Sequence, residues 1–198
     1  TGVFGWLYLL LAGLATAPGI ALLAANLAAG KEISLFDYDA FRCSEDQLLA
    51  LLAGIPFALA AFVLLVVLLY KIWAALPPES ARTTPGKAVG FLFIPLFNFY
   101  WYFVALFGWT EDFRRYARER GFAGPRPSPF VAVAIAVLNL FVTPLGIASG
   151  FAEVPLAGTV ISLPLTVLLV VFAFQACAAV NALPPEAVQA ARAARGTP

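Results

Sequence analysis

Few side chains in this sequence can do chemistry, and those few are unevenly placed. Arg114, Arg115, Arg118, Arg120 and Arg126 crowd one short polar stretch, directly after an aromatic run that contains Pro95, Asn98, Tyr100, Trp101, Tyr102 and Trp109. A guanidinium is a planar fork of donors that matches phosphate and carboxylate oxygens. Such a cluster beside interfacial aromatics suits anionic lipid headgroups or an acidic partner surface. The same arginines also serve simply to fix membrane topology, and the spacing accommodates both uses. Membrane lipids, and other membrane protein subunits, are therefore the partners this chemistry points to.

Catalytic groups are scarcer. Histidine is absent, which removes an imidazole base, His-ligated haem and the ordinary Zn, Cu and Fe sites. Cys43 falls in a polar stretch and Cys177 deep in an apolar one, so neither a disulfide nor a shared metal is expected. Gly86-Lys87 resembles the end of a phosphate loop, but Ala81 and Ala88 stand where that loop requires glycine and Ser or Thr. No Ser-His-Asp or paired-carboxylate arrangement is present. The expectation is a non-catalytic protein without cofactor or metal, with Cys177 the best thiol if an intramembrane enzyme were sought.

The elements that must carry these residues follow from composition. Of 198 residues, 62% are hydrophobic and 12% charged, against about 25% charged in soluble domains. So few charges cannot cover a water-soluble fold of this size, whereas acyl chains can solvate it. A net charge of +1 gives no footprint for nucleic acid. The expected fold is all-α, a polytopic membrane helical bundle in a single domain over 1–198. Apolar stretches predict spans at about 3–29, 47–73, 130–147 and 160–183. Ala15-Thr16-Ala17 resembles a signal-peptide cleavage site, but the basic start is missing and the apolar run continues, so a spanning helix is favoured. Tyr70, Lys71 and Trp73 end the second span as interfacial anchors. Thr84-Pro85-Gly86 reads as a helix cap, and Ser149 to Ala157, with Glu153, as a turn.

The aromatic segment 88–110 admits two placements. It is long enough to be a fifth span, about 34 Å at 1.5 Å per residue. Against that, Tyr100, Trp101 and Tyr102 would meet hydrocarbon at mid-segment, Pro95 removes a backbone hydrogen bond, and Asn98 needs a partner. A re-entrant or interfacial segment satisfies all three. It puts ten of the twelve basic residues, both termini and the arginine cluster on one face, which the positive-inside rule makes cytoplasmic.

Asn98, Asn139, Gln175 and, at a helix end, Asn181 are the candidate buried polar residues. Hydrogen bonding between helices is their ordinary use. Lining a path is the alternative, and it would make the chain a small transporter or channel component. The second and last spans both end in Ala-Leu-Pro-Pro-Glu, at 75–79 and 182–186. The recurrence is compatible with a parallel internal repeat or with chance.

Pro85-Gly86, Ala88-Val89-Gly90, Phe93, Pro95 and Asn98 together resemble an uncharacterised bacterial family of multi-pass membrane proteins with a PG-x-AVG-x-x-F-x-P-x-x-N stretch between spans, some members of which carry a GYF-like domain. The resemblance covers roughly 69–183. It implies a bacterial inner membrane and a cytoplasmic motif loop, and assigns no activity. The function expected is that of a lipid-interacting or accessory subunit of a membrane complex.

Overall fold

The computed structural model describes residues 45–151 and 155–196, with scattered positions between 6 and 24. The 3–29 segment is helical at the positions described. The polar stretch 31–44 with Cys43, and Glu153, lie outside the described residues. As expected, the described residues are all-α. Helix α1 is Glu45–Ala74, α2 is Pro85–Gly90, α3 is Phe97–Tyr102 and α4 is Trp109–Glu119; α5 is Pro129–Phe151, α6 Pro155–Asn181 and α7 Pro185–Ala193. Two stretches among the described residues, Ile55–Ala74 and Leu163–Asn181, are long and apolar enough to cross a membrane, and Pro129–Phe141 is a shorter apolar helix. This is two rather than the four spans read from sequence. Of the other two, 3–29 is described only at scattered positions, and 130–147 contributes only the shorter apolar helix Pro129–Phe141.

The expected turn at 149–157 is shorter than the sequence implied, since α5 reaches Phe151 and α6 starts at Pro155.

The aromatic segment is neither one helix nor one straight rod. Thr84 caps α2 by accepting a hydrogen bond from the Lys87 N–H, with Pro85 at the first helical position. A single 3-10 turn, Phe91–Phe93, follows and the chain then reverses. The reversal is a γ-turn. Phe97 N–H donates to the Pro95 carbonyl at 2.7 Å, and Leu96 between them sits at φ 64°, ψ −46°. That conformation is sterically costly for a residue with a Cβ. From Phe97 the chain returns as α3, widens into a π-helical stretch at Phe103–Gly108, and runs on as α4.

The two arms meet along their length. The Trp101 indole N–H donates to the Ala88 carbonyl at 2.9 Å. Phe91 packs edge-on against both Phe97 and Trp101. The hairpin lies along the second half of α1. Phe93 touches Phe62 near the apex. Near the base, Trp109 donates to the Ile72 carbonyl and Trp73 donates to that of Ala105. From Phe62 to Ile72 along α1 is about 15 Å, so the hairpin reaches that far past its own base. The Ala105 carbonyl, taken by an outside donor, lies inside the π stretch, where the i→i−4 ladder has been opened.

Helix α4 stops at Gly121, whose φ of +65° favours glycine. Gly121 N–H donates to the Arg118 carbonyl and Phe122 N–H to that of Ala117, the paired pattern that closes a helix on a left-handed residue.

Among the described residues, packing is lopsided. Trp73, Trp109, Phe172, Leu69, Ile72, Leu76, Leu106 and Ile135 are fully buried, all towards the end where α1 and α6 finish; this is termed the basal end below. Away from it the helices expose Ile55, Leu59, Val63, Leu140, Phe141 and Val167.

Replacing Leu96 by glycine tests the strain at the apex. Leu96 is 82% exposed and gives up little packing, and relief of roughly 1–3 kcal/mol of strain outweighs about 0.7 kcal/mol of added chain entropy. Leu96→Gly is expected to melt a few degrees higher in detergent. A lower melting temperature would count against a strained turn.

Candidate functional site

The base of the hairpin is closed by one carboxylate. Asp112 is fully buried in the first turn of α4, and Arg82, in the loop after α1, reaches it three ways. Its backbone N–H and Nε donate to Oδ2 at 2.9 and 3.0 Å, and Nη2 donates to Oδ1 at 2.8 Å. Arg115, one turn along α4, adds a fourth bond to Oδ1 at 3.1 Å and donates to the Ser80 carbonyl. A charge taken out of water is tolerated only with this degree of pairing. These hydrogen bonds, with the nearby carboxylate charge, hold the Arg82 guanidinium above its ordinary pKa against the opposing effect of burial. Gly108 eases the approach, since a Cβ there would stand 3.1 Å from Arg82 Cδ and press the arginine side chain to shift by a few tenths of an ångström.

The residues singled out by sequence separate into two groups. Trp101 and Trp109 are buried and spend their indole N–H groups on backbone carbonyls, so their work is structural. Arg114 donates to the Pro127 carbonyl at 3.4 Å, and Arg115 belongs to the Asp112 cluster. Tyr102 is half-buried. Pro95, Tyr100, Arg118 and Arg120 remain exposed, and Phe93, Ile94 and Leu96 join them at the apex. Asn98 is half-buried, its side-chain oxygen enclosed without a hydrogen-bond partner. Gln175 accepts from the Ser128 N–H at 2.9 Å, tying the loop before α5 to α6. Asn139 is buried on α5.

A second feature of the basal end was visible in sequence only as a recurrence. In the 75–79 motif, Ala75 donates to the Lys71 carbonyl, Leu76 to Trp73 and Ser80 to Pro77. In the 182–186 motif, Ala182 donates to Ala178, Leu183 to Val180 and Ala187 to Pro184. The two turns therefore make the same bonds at the same offsets, and Leu76 and Leu183 are buried in both. They converge on one cleft of about 440 Å³ whose lining also includes Tyr116, Arg120 and Phe122. Arg120 lies over the Tyr116 ring, 5.8 Å from its centroid.

Arg195, just past α7, fastens the tail to this end. Its Nη2 donates to the carbonyls of Trp73 and Leu76, at 3.0 and 2.6 Å, supplying partners to the last turn of α1. Burial lowers the pKa of that guanidinium, an effect partly offset by the nearby Tyr70 phenol and Glu79 carboxylate.

Sequence reasoning passed over Arg82, Asp112 and Arg195. A carboxylate within three residues of the end of the aromatic run at Trp109, as Asp112 is, was the available signal. Among the described residues, no group of three or more His, Cys, Asp or Glu side chains is placed to hold a metal ion. Comparison with known proteins gives no matching family model, no matching curated protein and no matching solved structure.

The Asp112 cluster predicts an order of effects. Arg82→Ala removes two side-chain bonds from a buried carboxylate and is expected to cost about 2 kcal/mol, discounted because the arginine is half-exposed. Arg115→Ala leaves Arg82 in place and is expected to cost below about 1 kcal/mol. Denaturant titration in detergent checks the ranking, and equal losses would contradict it.

Proposed function

We propose that the chain is a multi-pass membrane protein without catalytic function, acting as a lipid-interacting or accessory subunit of a membrane complex. The observation that carries this reading is the exposure of its most apolar helices. Of the windows Ile55–Ala74 and Leu163–Asn181, only 28% and 22% is buried within the protein. A water-soluble core helix buries its apolar face, whereas acyl chains cover one that is left bare.

In the placement we favour, segment 88–110 is re-entrant. Its support is the Arg82–Asp112 pair, which brings the entry and exit of the segment together. The exposed apex with Pro95, Leu96 and Tyr100 then lies among acyl chains. The basal end, with Arg114, Arg115, Arg118 and Arg120, faces the cytoplasm at headgroup level. Trp6, packed edge-on against Phe174 in the last turns of α6, agrees with a first helix that starts from the same face. The resemblance of 85–98 to the bacterial multi-pass family fits an inner membrane.

Cysteines introduced at Lys87 and Arg118 test the placement in intact cells. Both are expected to be protected from an impermeant thiol reagent until the cells are permeabilised, and labelling of one but not the other before permeabilisation would rule out the re-entrant hairpin.

A transporter or channel component is the second reading, favoured by the enclosed and unpartnered oxygen of Asn98. Gln175, already engaged by Ser128, is a poor path-lining group. Under the accessory reading, Asn98→Leu leaves ion or solute flux in liposomes unchanged. Flux abolished by this substitution would establish the second reading instead.

A further inference from the structure

The basal cleft is not used by any of the packing described above. Its volume of about 440 Å³ is in the range of small-molecule sites, roughly 300–1,000 Å³. Glu79 and Glu186 stand on its two equivalent Leu-Pro-Pro-Glu walls, and Arg120 lies between α4 and the loop that follows. No ion pair of Glu79, Glu186 or Arg120 occurs among the described residues. Arg120 rests on Tyr116 instead. Two carboxylates and a guanidinium thus line one open cleft with no ion pair among them, and the Glu79 charge also reaches the Arg195 guanidinium. Pro77, Phe122 and Ala187 supply its apolar surface.

We infer that this cleft binds a small zwitterion in which a primary ammonium and a phosphate are joined by a short apolar link, the chemistry of aminoethyl phosphate. A simple cation would meet Arg120, and a simple anion would meet two carboxylates. A molecule with both charges meets a partner at each end. A primary ammonium has three donors to divide between Glu79 and Glu186, which a quaternary ammonium lacks. Arg120 offers the planar fork that a phosphate accepts in two bonds. The choice of phosphate as the anionic group rests on the membrane placement proposed above, which sets the basal end among headgroups. The ligand comes either from a phospholipid headgroup or from the free compound.

Titration of the detergent-solubilised full chain with free phosphoethanolamine decides the site independently of membrane placement. Saturable binding is expected, weakened about tenfold or more by Glu79→Gln with Glu186→Gln and likewise by Arg120→Gln, as for loss of a charge-assisted bond. Arg120→Lys should recover part of it, and phosphocholine and glycerol phosphate should bind about tenfold more weakly. The substituted side chains are exposed, and unchanged melting of the variants verifies their folding.

A second measurement identifies the source. Protein is extracted from vesicles of equal parts phosphatidylethanolamine, phosphatidylcholine and phosphatidylglycerol, and its retained lipid is analysed. Enrichment of phosphatidylethanolamine that the Glu and Arg variants lose marks the lipid as occupant; saturable binding of the free compound without such enrichment marks the soluble one. Absence of both, or enrichment unchanged in the variants, overturns the inference. A chain that stayed monomeric in buffer without detergent would defeat the membrane reading, while the titration would still decide the cleft.

Discussion

Asp112 is a carboxylate with no access to water in a chain that has few ways of compensating it. Its four hydrogen bonds come from two arginines on opposite sides of the aromatic segment, and this requirement organises the rest of the basal end. Meeting it brings the loop after α1 against the start of α4, which turns 85–111 into a closed hairpin. It places the Arg82 side chain close against Gly108, and it holds the hairpin base at the level where Trp73 and Trp109 exchange bonds with the backbone of their neighbours. A hydrophobic residue at 112 would remove the desolvation cost but would also remove the only ionic link between entry and return among the described residues.

Polar links of this kind matter more if the helices lie in lipid. Acyl chains are as apolar as leucine, so burial of Leu or Val between helices gains little there, and close packing and hydrogen bonds carry the association. The described hydrogen bonds fit that demand. Three tryptophan N–H groups, the Gln175–Ser128 bond and the Arg195 contacts each join segments distant in sequence. They cluster at the basal end, where the buried side chains also cluster.

The helix types and approximate bounds could be read from the sequence because they depend on local features. The Thr84 cap, the stop at Gly121 and the helices after Pro129 and Pro185 follow from residue types within a few positions. The chain reversal at Pro95 could be anticipated from proline and asparagine in an apolar run, but the positive φ falls on Leu96, which no propensity marks. Partnerships were not legible. Trp101 looked like an interfacial anchor because its type is enriched at interfaces, yet its N–H reaches a carbonyl thirteen residues earlier. Arg114 and Arg115 stood out as charges available to lipid, and the structure shows them bonded to Pro127 and Asp112. The two Leu-Pro-Pro-Glu turns were visible as a recurrence, but their convergence on one cleft depends on α1 and α6 ending side by side.

The Arg195 contact also bears on the timing of assembly. Its acceptors on Trp73 and Leu76 precede it by 122 and 119 residues. At about 5–20 residues per second of synthesis, roughly six to twenty-five seconds pass between translation of the two partners. Throughout that interval the Leu76 carbonyl lacks this donor, and the Trp73 carbonyl has only the Leu76 N–H. The basal end therefore matures late, and a nascent chain released before residue 195 would carry a helix terminus that lacks its final hydrogen-bond donor.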